Sequence, residues 1–225
     1  MRNSIKKMAL VIVALMAAAG VVRATLLTDS WSGSQAVPDG SPIGTANSLS
    51  ISDPGNAAIE DVSVTLNISG GYDGDLYGYL VYQPSTSAAG AGSTASMIVL
   101  LDQIGTSPSD PLGESGAGLN VTLSDSGTVG NGNGGDIHNA TGSPVTGIYT
   151  PDSPNTLDGT FGGLSADGTW TLFLADLTAG GGDSTLSNWS VNVSVVPEPI
   201  TWALLGFAGI LIVMKLRRYR NILKA

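Results

Sequence analysis

The chain has 225 residues, with 31 Gly, 11 Pro, no Cys and only 12% charged side chains, 9 Lys and Arg against 18 Asp and Glu. That composition fits one medium all-β domain rich in turns, and it excludes disulfide staples, thiolate metal sites and thiol nucleophiles. Every basic residue lies at an end, so the body from Thr25 to Pro199 has no Lys or Arg and cannot supply the basic footprint that nucleic acid requires.

In chain order, Arg2 to Lys7 is a basic leader, Met8 to Val22 an apolar run, and Val22-Arg23-Ala24 places small residues for cleavage after Ala24. This reads as a secretory signal peptide, residues 1–24; the alternative, an uncut anchor, is disfavoured because the run is short for a full span. Residues 25–47 form a polar lead-in with one expected early strand. Ser48-Leu-Ser-Ile51 alternates weakly, and Asp53-Pro-Gly55 signals a turn. Val62, Val64, Leu66 and Ile68 alternate cleanly with polar residues, as a half-buried strand requires.

Gly70 to Asp75 is a turn, and Leu76 to Tyr82 is another strand. Met97-Ile-Val-Leu-Leu101 is a continuous apolar run, expected to be buried on both faces. Leu119 to Leu123 is a further strand, Ser124 to Ser143 a long Gly/Asn/Ser loop, Pro144 to Tyr149 an edge strand, and Pro151 to Leu164 a turn-rich cover. Trp170, Leu172 and Leu174 then alternate with Thr169, Thr171 and Phe173, and after a glycine-rich connector Trp189, Val191, Val193 and Val195 alternate with Ser190, Asn192 and Ser194. These two ribbons are expected to fold back on each other as a closing hairpin, with both indoles turned inward. About eight short strands with turns between them predict an all-β sandwich.

The segment "DGTWTLFLAD…GGDSTLSNWSVNVS" resembles the closing part of the P domain (P/Homo B domain), the sandwich that follows subtilisin-like proteases such as the proprotein convertases. Ile59 to Ser69 with Gly74-Asp-Leu76 is similar to that domain's opening, and Leu157 to Leu164 to the segment before its final strands. The likeness covers residues 48–195. It implies a jelly-roll β-sandwich of galactose-binding-like type and a non-catalytic role.

After Val196 the composition changes. Pro197-Glu-Pro199, the uncharged run Ile200 to Met214, and a basic cluster of Lys215, Arg217, Arg218 and Arg220 resemble a PEP-CTERM sorting signal over residues 196–225. At about 1.5 Å per residue the run reaches roughly 22 Å, short of a ~30 Å hydrocarbon core. The resemblance implies an exosortase-type processing enzyme as partner, export across a bacterial inner membrane, transient anchoring through the C-terminal helix, and exopolysaccharide or envelope proteins as surroundings. The alternative is an ordinary tail anchor.

Catalysis has little to work with. The sole imidazole, His138, falls in the Gly/Asn loop, where nothing rigid is expected to orient it, and Gly113-Glu-Ser-Gly116 and Gly182-Asp-Ser184 lack the strand context of a nucleophilic serine. Calcium is the candidate cofactor: Asp73 and Asp75 flank Gly74 in a turn, Asp176 and Asp183 bracket the last loop, and hard carboxylate oxygens are what that ion takes. The competing explanation is that these aspartates cap turns. Tyr72, Tyr77 and Tyr79 form a candidate carbohydrate platform, against packing on the sandwich. The reading that follows is an exported, non-catalytic surface or matrix protein with a structural or adhesive role. A carbohydrate-binding module for exopolysaccharide ranks second, and a hydrolase-associated accessory domain third.

Overall fold

In the computed structural model, residues 24–85, 94–127 and 135–196 are described, together with Gly206, Gly209, Ile210 and Met214, which are helical. Among the described residues nine strands make up the body: β1 (Thr25–Val37), β2 (Ser41–Ile51), β3 (Ala58–Ser69), β4 (Leu76–Pro84), β5 (Ser96–Asp102), β6 (Leu119–Ser124), β7 (Val145–Tyr149), β8 (Gly168–Asp176) and β9 (Ser184–Val196). They form a five-stranded sheet in the order β1-β9-β3-β6-β7 and a four-stranded sheet in the order β2-β8-β4-β5. All pairings are antiparallel except β6 with β7. The protein is all-β in two sheets, and its compact unit runs from Ala24 to Val196.

The inward faces follow the period-two pattern. Val62, Val64, Leu66 and Ile68 of β3, Trp189, Val191, Val193 and Val195 of β9, and Trp170, Leu172 and Leu174 of β8 are all at most 3% exposed. Trp170 stacks on Tyr82 at 4.0 Å and meets Phe161 edge-on at 4.9 Å. Burying an indole of about 200 Å² contributes roughly 5 kcal/mol of transfer free energy, so this aromatic cluster is a principal anchor. The Trp189 Nε1–H donates to Asn47 Oδ1 at 2.8 Å, tying the five-stranded sheet to β2 of the other.

Several expectations need correction. The two tryptophan ribbons are not a hairpin: β8 pairs with β2 and β4, whereas β9 pairs with β1 and β3. The connector between them crosses from one sheet to the other, because an alternating strand satisfies its apolar face equally well on either side of a sandwich. The segment 25–47 supplies all of β1 and most of β2, not a single strand. The run at Met97–Leu101 is not buried on both faces. It lies on an edge strand, with Ile98, Leu100 and Leu101 buried but Met97 56% exposed.

The cover over residues 151–164 contains a short helix, α1 (Leu157–Phe161), whose Leu157 and Phe161 are one turn apart and both buried. Its N-terminus is capped by Thr156 Oγ1, which accepts the Gly159 amide, and by Asp125, whose two oxygens accept the Leu157 and Asp158 amides at 2.8 Å. The last part of the Gly/Asn loop is also ordered by packing, with Ile137 and Ala140 buried around a 3₁₀ turn at Ile137–Asn139.

Candidate functional site

Strand register assembles an acidic end of the sandwich. Asp176, the last residue of β8, pairs with Ser41 at the start of β2 and with Leu76 at the start of β4. The residues just before those starts, Asp39-Gly40 and Asp75, are therefore carried to the end of β8. The β8–β9 loop folds over them: the Leu177 amide donates to Asp75 O at 2.8 Å, and the Gly180 amide donates to both Asp39 oxygens at 3.0 and 3.3 Å. Asp176 is fully buried. Its Oδ1 accepts from the Gly40 amide at 3.3 Å, while its Oδ2 has no hydrogen-bond partner among the described residues.

Burial pushes the Asp75 carboxyl up from its ordinary range, repulsion from Asp176 and Asp39 adds to this, and a Thr178 hydrogen bond partly offsets it. Burial likewise raises Asp176, the Gly40 and Thr178 amides counteract, and Asp39 and Asp183 push it further up.

The four predicted calcium ligands are thus not one set. Asp75 and Asp176 come together, and Asp39, which lies in the polar lead-in and carried no site expectation, joins them. Asp73 points elsewhere. Its Oδ1 accepts the Gly118 amide at 2.9 Å, its Oδ2 has no partner among the described residues, and burial is the main cause holding its carboxyl at about 8. Asp183 is exposed at the end of the loop. Among the described residues, no three Asp, Glu, His or Cys side chains gather closely enough to hold a metal by themselves. The turn-capping explanation applies to Asp53, which accepts the Gly55 and Ala57 amides, and to Asp136, which accepts the His138 amide.

The three tyrosines separate as well. Tyr77 and Tyr79 stand on the outer face of the four-stranded sheet, where Tyr79 stacks on Phe173 at 4.6 Å and meets Tyr77 edge-on at 6.1 Å. Register lines up Ala46, Phe173, Tyr79 and Val99 in one row across all four strands. Tyr72 lies away from this row, 42% exposed, with its ring against Gly181 beside Asp75. Phe173 is the member that sequence reasoning missed; its place in an alternating strand marked it as outward, but only register brings it to Tyr79.

His138 is better ordered than its loop suggested. Its Nδ1 lies 2.7 Å from Asp152 Oδ2 and its Nε2 3.0 Å from the Thr106 carbonyl oxygen. Both ring nitrogens thus face acceptors, an arrangement that suits the doubly protonated ring. Burial opposes that charge, but the Asp152 hydrogen bond and charge, the Thr106 carbonyl and Asp136 outweigh it and raise the imidazole above its ordinary value. Asp152 is itself pushed up by burial, with His138 pulling the other way. The ring lines a cleft of about 440 Å³ with Ser107, Asp110, Glu114 and Ser115. The serine of the second motif, Ser184, is fully buried and donates to Gly70 O at 3.4 Å.

No family model matches the sequence, and no curated protein matches it. Solved structures similar to it include an Aeromonas sobria serine protease in complex with its chaperone, at 17% identity and TM-score 0.45, covering 78% of this chain and 28% of that one. Another is the serine protease of Aeromonas sobria, at 18% identity and TM-score 0.42, covering 81% of this chain and 29% of that one. The chain spans under a third of the length of either.

Ala24, the expected cleavage residue, is exposed immediately before β1. Pro197, Glu198, Pro199, Lys215, Arg217, Arg218 and Arg220 of the expected sorting signal lie outside the described residues, as does the rest of the leader. Among the described residues no helix is long and apolar enough to cross a membrane.

Proposed function

We propose that this chain is an exported, non-catalytic β-sandwich of jelly-roll, P-domain-like type. Its role is structural or adhesive at the cell surface or in the extracellular matrix, after processing through an exosortase-type sorting signal. The observation that supports the non-catalytic part, against histidine-assisted serine chemistry, is the commitment of His138: the chain's sole imidazole gives one nitrogen to a carboxylate and the other to a backbone carbonyl, so neither is free to take a serine proton. Export is supported by the leader ending at Ala24, and sorting by the order of Pro-Glu-Pro, apolar run and basic cluster.

Fractionation of cells expressing the full chain or a chain lacking residues 197–225, with mass spectrometry of the mature termini, tests the sorting. The full chain should reach the surface or medium without its tail. A cytoplasmic body refutes export, and a mature protein that keeps Arg217 to Arg220 replaces sorting with plain anchoring. A fluorophosphonate probe should leave every serine unlabelled, and labelling at Ser115 refutes the non-catalytic reading.

A second reading, a carbohydrate-binding module, has in its favour the outward aromatic cluster of Tyr79, stacked on Phe173, and Tyr77, edge-on to Tyr79. Glycan binding that is lost in Tyr79→Ala supports it, and no glycan binding by the full chain removes it.

A further inference from the structure

We propose that Asp75 and Asp176, with Asp39 at their rim, hold one hydrated divalent cation at the end of the four-stranded sheet, and that the cation is calcium.

A buried carboxylate at this end of the sandwich has no Lys or Arg partner within the body. Asp176 is fully buried: the Gly40 amide reaches its Oδ1 at 3.3 Å, the Thr178 amide also acts on the carboxyl, and its Oδ2 has no hydrogen-bond partner among the described residues. Taking a carboxylate out of water without a partner is costly, and a buried acid ordinarily finds an arginine, a lysine or a metal. Between Thr25 and Pro199 the sequence has no Lys or Arg at all. The body therefore offers neither as partner, and a proton or a metal ion from solution can take that place.

The surroundings favour a metal. The register brings a second buried carboxylate, Asp75 at 3% exposure, to the start of the neighbouring strand, and a third, Asp39, to the start of the other neighbour. The loop then closes at Gly181, whose φ of +79° and lack of a side chain both matter. A Cβ there would stand 3.2 Å from Asp75 Oδ2 and 2.7 Å from the Tyr72 ring. A glycine in the left-handed region thus leaves room directly beside the carboxylate oxygen.

The choice of ion follows from the ligands. Only oxygen donors are present, and no three acidic or imidazole side chains gather into a cage among the described residues. Two carboxylates, with the Thr178 hydroxyl beside Asp75 and water completing the shell, suit calcium, which accepts six to eight irregular oxygen ligands. Zinc asks for nitrogen or sulfur, and magnesium for strict octahedral geometry. Asp73 stands outside this set, since its Oδ1 is taken by the Gly118 amide. The inference is independent of the adhesive role, since a stabilising ion serves any function of the sandwich.

The test uses the full chain freed of metal with EDTA. Isothermal titration should show calcium binding at about one site per chain, with magnesium at least tenfold weaker. At a hundredfold excess over Kd, calcium should raise Tm by roughly 5–10 °C for a unit of this size. Asp176→Asn should abolish the rise, and in EDTA at neutral pH it should melt above the wild type because the uncompensated acid is gone. Asp39→Asn, an exposed substitution that should fold normally, should weaken calcium at least threefold. Asp73→Asn should keep the response. An unchanged wild-type midpoint between EDTA and calcium overturns the proposal, as does an Asp39→Asn or Asp176→Asn protein that binds calcium like the wild type.

Discussion

Two buried indoles offer a clean measurement of what a hydrogen bond contributes inside this sandwich. Trp170 and Trp189 are both fully buried, one in each sheet. Trp189 Nε1 donates to Asn47 Oδ1 at 2.8 Å, whereas Trp170 Nε1 has no acceptor among the described residues. Replacing each by phenylalanine removes the same atoms from the same degree of burial, so the transfer and cavity costs largely cancel in the comparison. At Trp189 the substitution also removes a made hydrogen bond, a loss of about 0.5–1.5 kcal/mol. At Trp170 it removes an unmatched donor, relieving about 1–3 kcal/mol. Phenylalanine can keep the stack on Tyr82 and the edge contact with Phe161. Trp189→Phe should therefore cost about 1.5–4.5 kcal/mol more than Trp170→Phe, a difference of roughly 3–18 °C in Tm. Urea unfolding of the full chain followed by far-UV circular dichroism measures both without relying on indole fluorescence. Equal costs, or a larger cost at Trp170, would refute the reasoning.

The remaining predictions concern the His138 clamp and a left-handed glycine. A ring-proton NMR titration should place the His138 midpoint above that of free histidine, and Asp152→Asn should bring it down. Because the folded value is the higher one, the clamp's stabilisation is complete below the ordinary histidine value and is lost as pH rises through the raised one. Denaturation midpoints of the wild type should fall across that window more than those of His138→Gln, and parallel curves would count against the clamp. Gly44 has φ +58°, and a Cβ there would overlap the Leu174 carbonyl oxygen, so Gly44→Ala should destabilise by about 2–3 kcal/mol. Gly163, at φ +79° with nothing within 4 Å, supplies the control, and its alanine variant should cost about 1 kcal/mol by the same urea assay.

The alternation of Val62, Val64, Leu66 and Ile68, and of the two tryptophan ribbons, settled from sequence alone which side chains go inside. The reason is local: a strand turns successive side chains to opposite faces whatever it pairs with. The absence of any Lys or Arg from the body was equally legible, and with it the problem of where so many carboxylates find a partner. What alternation does not encode is the identity of the neighbour. A glycine-rich connector of seven residues can close a hairpin or cross the ~10 Å between sheets, and only the packing of the whole core put Trp170 and Trp189 in different sheets.

The same limit governs the acidic end. Asp73 and Asp75 are neighbours in the chain, yet the 3₁₀ turn at Asp73–Asp75 sends one carboxylate to the Gly118 amide and the other to Asp176. Asp39 is far away in sequence and arrives beside them because β2 and β4 both start where β8 ends. His138 shows it once more: a loop of low complexity gave no sign of rigidity, and the two acceptors that fix the ring, Thr106 and Asp152, come from segments on either side of it. Burial pattern is written residue by residue along a strand. Partnership is decided by register and sheet order, which are properties of the assembled fold.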